Sequence, residues 1–369
     1  MPRPGTEVVI VDDSTPGGPS LNTGQAFFAG KTATAAAMGE VHSLKQYTSA
    51  YGNRTGAADM YDAVSAFFQE GGGTLYISPA ATADAAGVEP ALELFTYELG
   101  PGQVCAPGLS DPTVHDALLD HVNTTHRCAL LDSAGGDATA LSAEVAALSG
   151  KPGVRFAALL APKISYPQAD TGAPVDIPYS GVQAGLIARN DLLANPNQPA
   201  AGNNGVSRLA LGLAEDYTDA ERETLNEAGV TLAKMVYGDV RTYGARTAAG
   251  PDDENWLWFA NSRVVMAITH HADAIAQTYL FRQIDGRRQL FAAFEAELRG
   301  MLLDYYKINA LFGETPADAF SVDTGAQVNT IDTIKAGEVH AVIRVKTSPS
   351  AEWVRIEIVK VPLEVPIAA

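Results

Sequence analysis

The clearest pattern in the chain is an alternation of apolar and polar residues near its C-terminal end. In the first alternating run the apolar positions are Val339, Ala341, Ile343 and Val345. Residues 347–350 interrupt the pattern, and in the second run the apolar positions are Val354, Ile356 and Ile358. A period of two is typical of a β-strand with one buried face. The pattern therefore predicts a strand, a turn and a second strand, which need a further partner to be stable in water.

A short β-branched run at the other end of the chain is a candidate partner for these strands. It consists of Val8, Val9, Ile10 and Val11. A segment rich in Pro and Gly, residues 15–19, separates this run from the rest of the chain. A strand on such a linker is built like an arm, which can pair with its own subunit or with a neighbouring one.

Between the two ends, short apolar segments alternate with amphipathic ones. The predicted strands are 25–30, 74–77, 103–106, 128–131 and 154–160. The predicted helices are 57–69, 111–122, 137–148 and 179–190. This alternation, joined by small turns, predicts an α/β fold with a mostly parallel sheet and helices on its faces.

The pattern changes after a loop rich in Asn, Pro and Gly at residues 195–204. Thr218 and Glu221 form a capping box that opens a helix ending near Gly229. Strand-like segments follow at 230–236 and 240–243, then long helices at 254–283 and 287–311, then a β region from about 319. We therefore divide the chain into an N-terminal arm and linker (1–20), an α/β core (21–215), a C-terminal α+β domain (216–346) and a C-terminal arm (347–369).

Composition narrows the classes of function. The chain has 369 residues, a net charge of −18 and 46% hydrophobic residues. A strongly acidic protein lacks the basic face that nucleic-acid binding requires. Cys105 and Cys128 are too few for a disulfide framework, which favours a reducing cytosol. No signal core or membrane-length apolar run is present, so we expect a soluble protein without membrane insertion.

Candidate catalytic and metal-binding residues do not form a recognisable motif. The His and Cys residues closest together are His115, His121, His126 and Cys128, and their spacing differs from that of metal ligands. His270 and His271 diverge on a helix, and the Gly71–Gly73 run lies between a helix and a strand, the reverse order for a phosphate loop. Ser180 remains a candidate nucleophile with no motif to orient a base. The residues predict no catalytic, metal or cofactor site.

Several stretches distributed along the whole chain follow an order and spacing found in one protein family. They are residues 8–30, 51–77, 177–191, 225–247, 256–263 and 319–356. Together they resemble the contractile tail sheath family of phages, R-type pyocins, type VI secretion systems and extracellular contractile injection systems. The chain resembles the short, pyocin-like sheaths in particular. Tyr179 and Tyr243 depart from the proline and tryptophan that are common in the family at these positions.

The resemblance implies a fold and a function. The fold would be a subtilisin-like α/β core with a C-terminal α+β domain, and the terminal strands would complete a sheet in neighbouring subunits. The protein would be a non-enzymatic sheath subunit that polymerises around an inner tube and contracts to drive the tube through a target envelope.

Its partners would be further copies of itself in stacked hexameric rings, the tube protein, the baseplate and the tail terminator. No cofactor, nucleic acid or membrane is implied. The particle would be a virion tail, or a phage-derived equivalent, assembled in the host cytoplasm.

Two other classes remain open. One is a cytosolic α/β hydrolase-like enzyme using Ser180, and the other is a tube or capsid protein, which usually has a smaller β-dominated chain. The N-terminal arm discriminates between a sheath and an enzyme, because an enzyme has no use for an isolated tethered strand.

One stretch differs from the rest of the chain in charge. Residues 281–308 carry five basic and four acidic residues, a net charge of +1, whereas the remaining chain carries −19. We hypothesise that this region faces an acidic inner tube through its arginines, which are Arg282, Arg287, Arg288 and Arg299. A solvated helix face with mixed charge accounts for the composition equally well.

Overall fold

The computed structural model describes residues 21–193, 195–251, 253–358 and 360. The predicted N-terminal strand, Val8 to Val11, lies outside the described residues. Within them there are thirteen strands and eleven α-helices. The strands are β1 (Ala26–Gly30), β2 (Gly39–Val41), β3 (Leu75–Pro79), β4 (Gln103–Cys105), β5 (Cys128–Asp132), β6 (Ala157–Ala161), β7 (Ile164–Pro167), β8 (Pro174–Ile177), β9 (Gly212–Leu213), β10 (Val230–Val236), β11 (Asp239–Thr242), β12 (Phe320–Asp323) and β13 (Val342–Val345).

The helices alternate with these strands along the chain. They are α1 (Leu44–Tyr51), α2 (Ala58–Glu70), α3 (Ala85–Glu93), α4 (Pro112–Thr125), α5 (Ala138–Ala146), α6 (Tyr179–Leu193), α7 (Asp219–Ala228), α8 (Phe259–Gln277), α9 (Gln289–Lys307), α10 (Pro316–Ala319) and α11 (Ile331–Lys335). None of the described helices is both long enough and apolar enough to cross a membrane.

A central sheet of eight strands organises the molecule, in the order β11-β10-β6-β5-β4-β1-β3-β2. Its inner pairings, from β10 through β6, β5, β4 and β1 to β3, are parallel. Only the edge strands β2 and β11 pair antiparallel. All residues of β1, β5 and β6 are buried, as expected for parallel strands covered on both faces. The predicted mostly parallel α/β sheet is confirmed.

This sheet extends beyond the predicted core boundary at residues 215 and 216. β10 pairs in parallel with β6, so that Val230 lies opposite Leu159. Leu225 of α7 and Val230 also belong to the hydrophobic core that contains β1. Because hydrogen bonds and core packing continue through β11, the α/β unit reaches at least to Thr242 rather than ending at residue 215.

A second, smaller hydrophobic core lies in the C-terminal part of the chain. The buried stripe of α9, with Phe294, Leu298 and Leu302, packs against Phe320 and Val322 of β12. These three residues are spaced by four, so they lie on one face of the helix. The strands β12 and β13 form an antiparallel pair in which Phe320 lies opposite Val345. The C-terminal unit is therefore a two-stranded sheet covered by helices.

The structure differs from several predicted elements. The segment Val354–Ile358 forms no strand, because a strand requires a hydrogen-bonded neighbour and the described residues of a single chain supply none. The two long helices are shorter than predicted, at Phe259–Gln277 and Gln289–Lys307. At the start of α9, Asp285 accepts from the free N–H groups of Gln289 and Leu290. The region predicted as a strand from residue 154 begins with a 3₁₀ turn, Val154–Phe156. α1, α3, β2 and β7 to β9 were not predicted.

Candidate assembly surfaces

The two-stranded sheet of β12 and β13 contains part of the first alternating run. Ile343 and Val345 lie in β13, and Val339 and Ala341 come just before it. All four side chains are partly buried against the second core. Because the sheet has only two strands, each of them keeps one edge without a paired strand in the described part of the chain. Such an edge is a template for a strand from another chain.

The chain after β13 crosses from the second core to the α/β unit. The N–H of Phe312 donates to Lys346 O at 2.8 Å, and the N–H of Ser348 donates to Ala310 O at 3.0 Å. Further on, the Glu352 carboxylate accepts hydrogen bonds from Arg246 Nη2 at 2.7 Å and Asn226 Nδ2 at 2.8 Å. The segment therefore stays attached to its own subunit as far as residue 352.

The second alternating run follows immediately and lies in solvent. Val354, Ile356 and Ile358 are 76%, 78% and 89% exposed, and Trp353 is 82% exposed. Isolated exposed apolar residues are common, but an alternating run of them is typical of an interaction surface. The structure thus separates the two predicted runs, one inside the subunit and one outside it.

A groove lies beneath the segment that ends at Glu352. Its volume is about 1320 Å³, and its walls come from the 195–204 loop, α7, the β10–β11 region and residues 348–353. Arg222, Lys234 and Arg246 line it and are each paired with a carboxylate. The cations of the groove are therefore already neutralised within the subunit.

The loop at residues 279–288 brings together three of the four arginines that were predicted to face a tube. Within the described residues, Arg282, Arg287 and Arg288 have no carboxylate within ion-pair distance. Arg282 lies over the Tyr279 ring at 4.3 Å. Arg288 donates to Thr324 O at 2.6 Å. The loop therefore presents positive charge that the rest of the described subunit does not neutralise.

The loop also contains an exposed aromatic residue, and the fourth arginine lies outside the loop. Phe281, beside Arg282, is fully exposed and has a backbone φ of 62°, in the left-handed region that non-glycine residues rarely adopt. Arg299 lies farther along α9 and is paired with Glu295 at 3.1 Å. The structure thus leaves three arginines and an exposed phenylalanine in one loop, whereas Arg299 is in a local ion pair. No sequence motif marked Phe281.

Ser180, the candidate nucleophile, lies sealed in the α/β unit. Its hydroxyl is fully buried and donates to Asp132 Oδ2 at 2.5 Å. Asp132 also accepts from the backbone N–H groups of Ser180 and Gly108, and burial raises its pKa. His115 lies near this pair, but its Nε2 is 3.1 Å from the carbonyl oxygen of Asp132. The side chains join β5 to α6, and no substrate can reach the hydroxyl in this arrangement.

Three other candidate histidines also have local roles in the fold. His121 Nε2 lies 3.3 Å from Arg127 Nη1, and His270 Nε2 lies 3.1 Å from Thr125 O. His126 is the C-cap residue of α4. Among the described residues, no group of three or more His, Cys, Asp or Glu side chains is arranged to hold a metal ion.

Comparison with known proteins gives a clear answer for the fold alone. No protein-family model matches the chain, and no curated protein sequence is detectably similar to it. Solved structures do match. A chain in the six-fold symmetrised cryo-EM structure of the anti-feeding prophage baseplate has a TM-score of 0.76 and 20% identity, over 97% of this chain and 99% of that one.

Two sheath structures match over a similar extent. The helical sheath of the anti-feeding prophage in its contracted state has a TM-score of 0.72 and 20% identity, over 96% of this chain and 98% of that one. The contracted sheath complex of the extracellular contractile injection system PVC has a TM-score of 0.73 and 18% identity, over 97% and 98%. The protein therefore has the fold of contractile sheath proteins. The resemblance inferred from the sequence is confirmed at the level of the fold.

Proposed function

We propose that this protein is a structural subunit of a contractile sheath, which polymerises around an inner tube and contracts to drive that tube through a target envelope. The observation that carries the proposal is the match to a helical sheath in the contracted state, over 96% of this chain and 98% of that one. A match of this extent leaves little of the chain for an additional domain. A sheath subunit needs only interfaces with two stable arrangements and no active site.

Strand exchange between subunits is the assembly mechanism that the surfaces support. The free edges of the β12–β13 sheet accept a strand from a neighbouring subunit. The exposed residues Val354, Ile356 and Ile358 belong to the donated strand. The undescribed run from Val8 to Val11 would be a second donor. In such β-augmentation, main-chain hydrogen bonds supply affinity and alternating side chains set the register.

The partners and location follow from the same proposal. The subunit would form stacked, hexameric rings of copies of itself, and would contact the inner tube, the baseplate and the tail terminator of a phage tail or phage-derived particle assembled in the host cytoplasm. The α/β unit would have the subtilisin-like topology of such sheaths. The enzyme alternative loses support because the Ser180 hydroxyl is fully buried against Asp132.

Electron microscopy of the purified protein, alone and then with a tube protein, tests the proposal. We expect hollow cylinders from the full chain. A variant lacking residues 1–18 should give none, because it lacks one donated strand, while keeping the unfolding temperature of the parent. Small monodisperse particles from the full chain in the presence of tube protein would contradict a sheath function.

The 279–288 loop is our candidate for the tube contact. Its support is the combination of three arginines without a carboxylate partner in the described residues and the exposed apolar Phe281, on a molecule with a net charge of −18. An acidic partner surface would complement this charge, and exposed charge pairs are weak enough to separate on contraction. We place Arg299 outside the contact because Glu295 already neutralises it.

A further inference from the structure

The last attachment of the C-terminal segment to its own subunit is a cluster of three side chains, which we call the clasp: Glu352, Arg246 and Asn226. Glu352 Oε2 accepts from Arg246 Nη2 at 2.7 Å, and Glu352 Oε1 accepts from Asn226 Nδ2 at 2.8 Å. Arg246 Nε lies 3.3 Å from both carboxylate oxygens. The carboxylate is thus held by two donors from different elements.

Both donors are fixed to the α/β unit. Asn226 lies in the last turn of α7, and its carbonyl oxygen accepts from the N–H of the left-handed C-cap residue Gly229 at 3.1 Å. Arg246 forms an isolated β-bridge with Trp258, and its carbonyl oxygen accepts from Thr231 Oγ1 at 3.3 Å. Since the backbone on each side of the clasp is held in this way, the position of Glu352 relative to the α/β unit is defined by rigid elements.

The clasp lies at the boundary between an attached and an unattached part of the chain. Before it, backbone hydrogen bonds tie Lys346 and Ser348 to the second core. After it, residues 353–358 donate and accept no hydrogen bond within the described part of the chain. The exposed apolar positions begin with Trp353, directly after Glu352. Glu352 is therefore the residue from which the free segment starts.

We propose that the clasp is a positioning device, which fixes the point and direction from which the 353–358 segment leaves the subunit to pair with a neighbouring copy. The inference rests on the proposed function. With the clasp closed, the donated strand has a defined origin, so less conformational entropy is lost when a neighbour pairs with it. With the clasp open, the free chain begins near Ser348 and its end samples a larger volume. Glu352, Arg246 and Asn226 then set how efficiently subunits join.

The experiment compares assembly rates of full-length variants by light scattering and electron microscopy, with tube protein present in every sample. Glu352→Ala should lower the assembly rate roughly 5-fold, the upper range for an ion pair near the surface. The unfolding temperature of the unassembled protein should stay within about 2 °C of the parent, because the clasp supports no core packing. The double variant Arg246→Glu with Glu352→Arg should restore most of the rate.

Asp239→Ala is the matched control. It removes the partner of Arg241, a pair with a 3.1 Å separation and an arginine of similar exposure, 15% against 17% for Arg246. This pair does not touch the C-terminal segment, so its loss should leave assembly unchanged. A parental rate for Glu352→Ala, an equal loss for Asp239→Ala, or no rescue by the exchanged pair would each overturn the role of the clasp while leaving the sheath proposal intact. Failure of the parental chain to assemble would overturn both.

Discussion

At the scale of single residues, buried charges join segments that are distant in sequence. The Glu70 carboxylate is fully buried and accepts from Tyr166 at 3.1 Å, Ser207 at 2.5 Å and Arg189 at 3.1 Å. A buried carboxylate without partners would be strongly destabilising, whereas this one is satisfied by donors from β7, α6 and the loop after it. Glu70 therefore holds α2 against the α6 region.

A second buried pair explains part of the sequence resemblance. Asp191 accepts from Arg263 Nη2 at 2.5 Å and from Thr23 Oγ1 at 2.6 Å. The three residues belong to three of the stretches that resemble the sheath family, and they connect the start of the described chain to α6 and α8. These positions thus have an architectural role within the subunit.

Two buried histidines make the stability of the protein sensitive to acid. Burial, reinforced by the nearby charge of Arg127, lowers the pKa of His121 and of His270 to about 4, from a usual value near 6.5. The folded state therefore favours the neutral rings. Their contribution to stability is complete above about pH 6.5 and is lost as the pH falls toward 4. His270 also stacks on Tyr97, with ring centroids 4.4 Å apart.

We predict that His270→Gln flattens this acid dependence. In the parent, protonation of His270 should remove on the order of 3 kcal/mol of unfolding free energy between pH 6.5 and 4. Glutamine can still donate to Thr125 O but does not titrate. Urea unfolding from pH 7.5 to 4.5 measures the difference in slope. Parallel pH profiles for the parent and the variant would contradict the assignment.

At the scale of elements, the contact between α2 and α6 depends on small residues. A Cβ atom on Gly181 would lie 2.5 Å from Ala63 Cα, and one on Gly185 would lie 2.7 Å from Phe67 O. Real Cβ atoms do not approach backbone this closely, so the two helices are as near as glycine allows. This close contact positions α6 over β5 and seals Ser180 against Asp132.

Gly181→Ala and Gly185→Ala should each destabilise the protein by about 1–3 kcal/mol, because the helices must separate to admit the methyl group. Chemical denaturation of the unassembled protein measures the loss. Gly300→Ala in α9 is the control, since nothing lies within 4 Å of the added Cβ. There alanine should stabilise by about 0.5–1 kcal/mol through helix propensity. Equal effects at all three positions would argue against close helix packing.

At the scale of the whole molecule, the distribution of charge predicts which side meets a tube. The double reversals Arg282→Glu with Arg287→Glu, and Arg287→Glu with Arg288→Glu, should each impair co-assembly with tube protein. The first pair is the cleaner test, because Arg288 also holds Thr324 O. Co-sedimentation with tube protein at low and at physiological salt measures the effect, which screening should reduce.

The matched control reverses two exposed lysines on the α/β unit, Lys31→Glu with Lys45→Glu, and changes the net charge by the same amount. It should co-assemble like the parent. If both sets of reversals impair co-assembly equally, general repulsion accounts for the effect and the 279–288 loop has no special role. If neither does, the loop does not contact the tube.

Much of the architecture could be predicted from local pattern. Continuous apolar runs such as Cys128 to Leu131 are typical of parallel strands buried on both faces, and β5 is one. The spacing of Thr218 and Glu221 located the start of α7, where the structure has the complete capping box. Elements with weak or short patterns, such as α1, α3 and β7 to β9, escaped prediction because tertiary contacts stabilise them.

The sequence by itself determined the class of fold, the first alternating C-terminal strand and the unusual charge of residues 281–308, because periodicity and composition are local properties. Only the tertiary structure decided that Ser180 is sealed against Asp132 and that Glu352 pairs with Arg246, 106 positions earlier in the chain. It also decided that one alternating run packs inside the subunit and the other is left in solvent. These outcomes depend on which distant groups meet in space, and no local pattern encodes such a meeting.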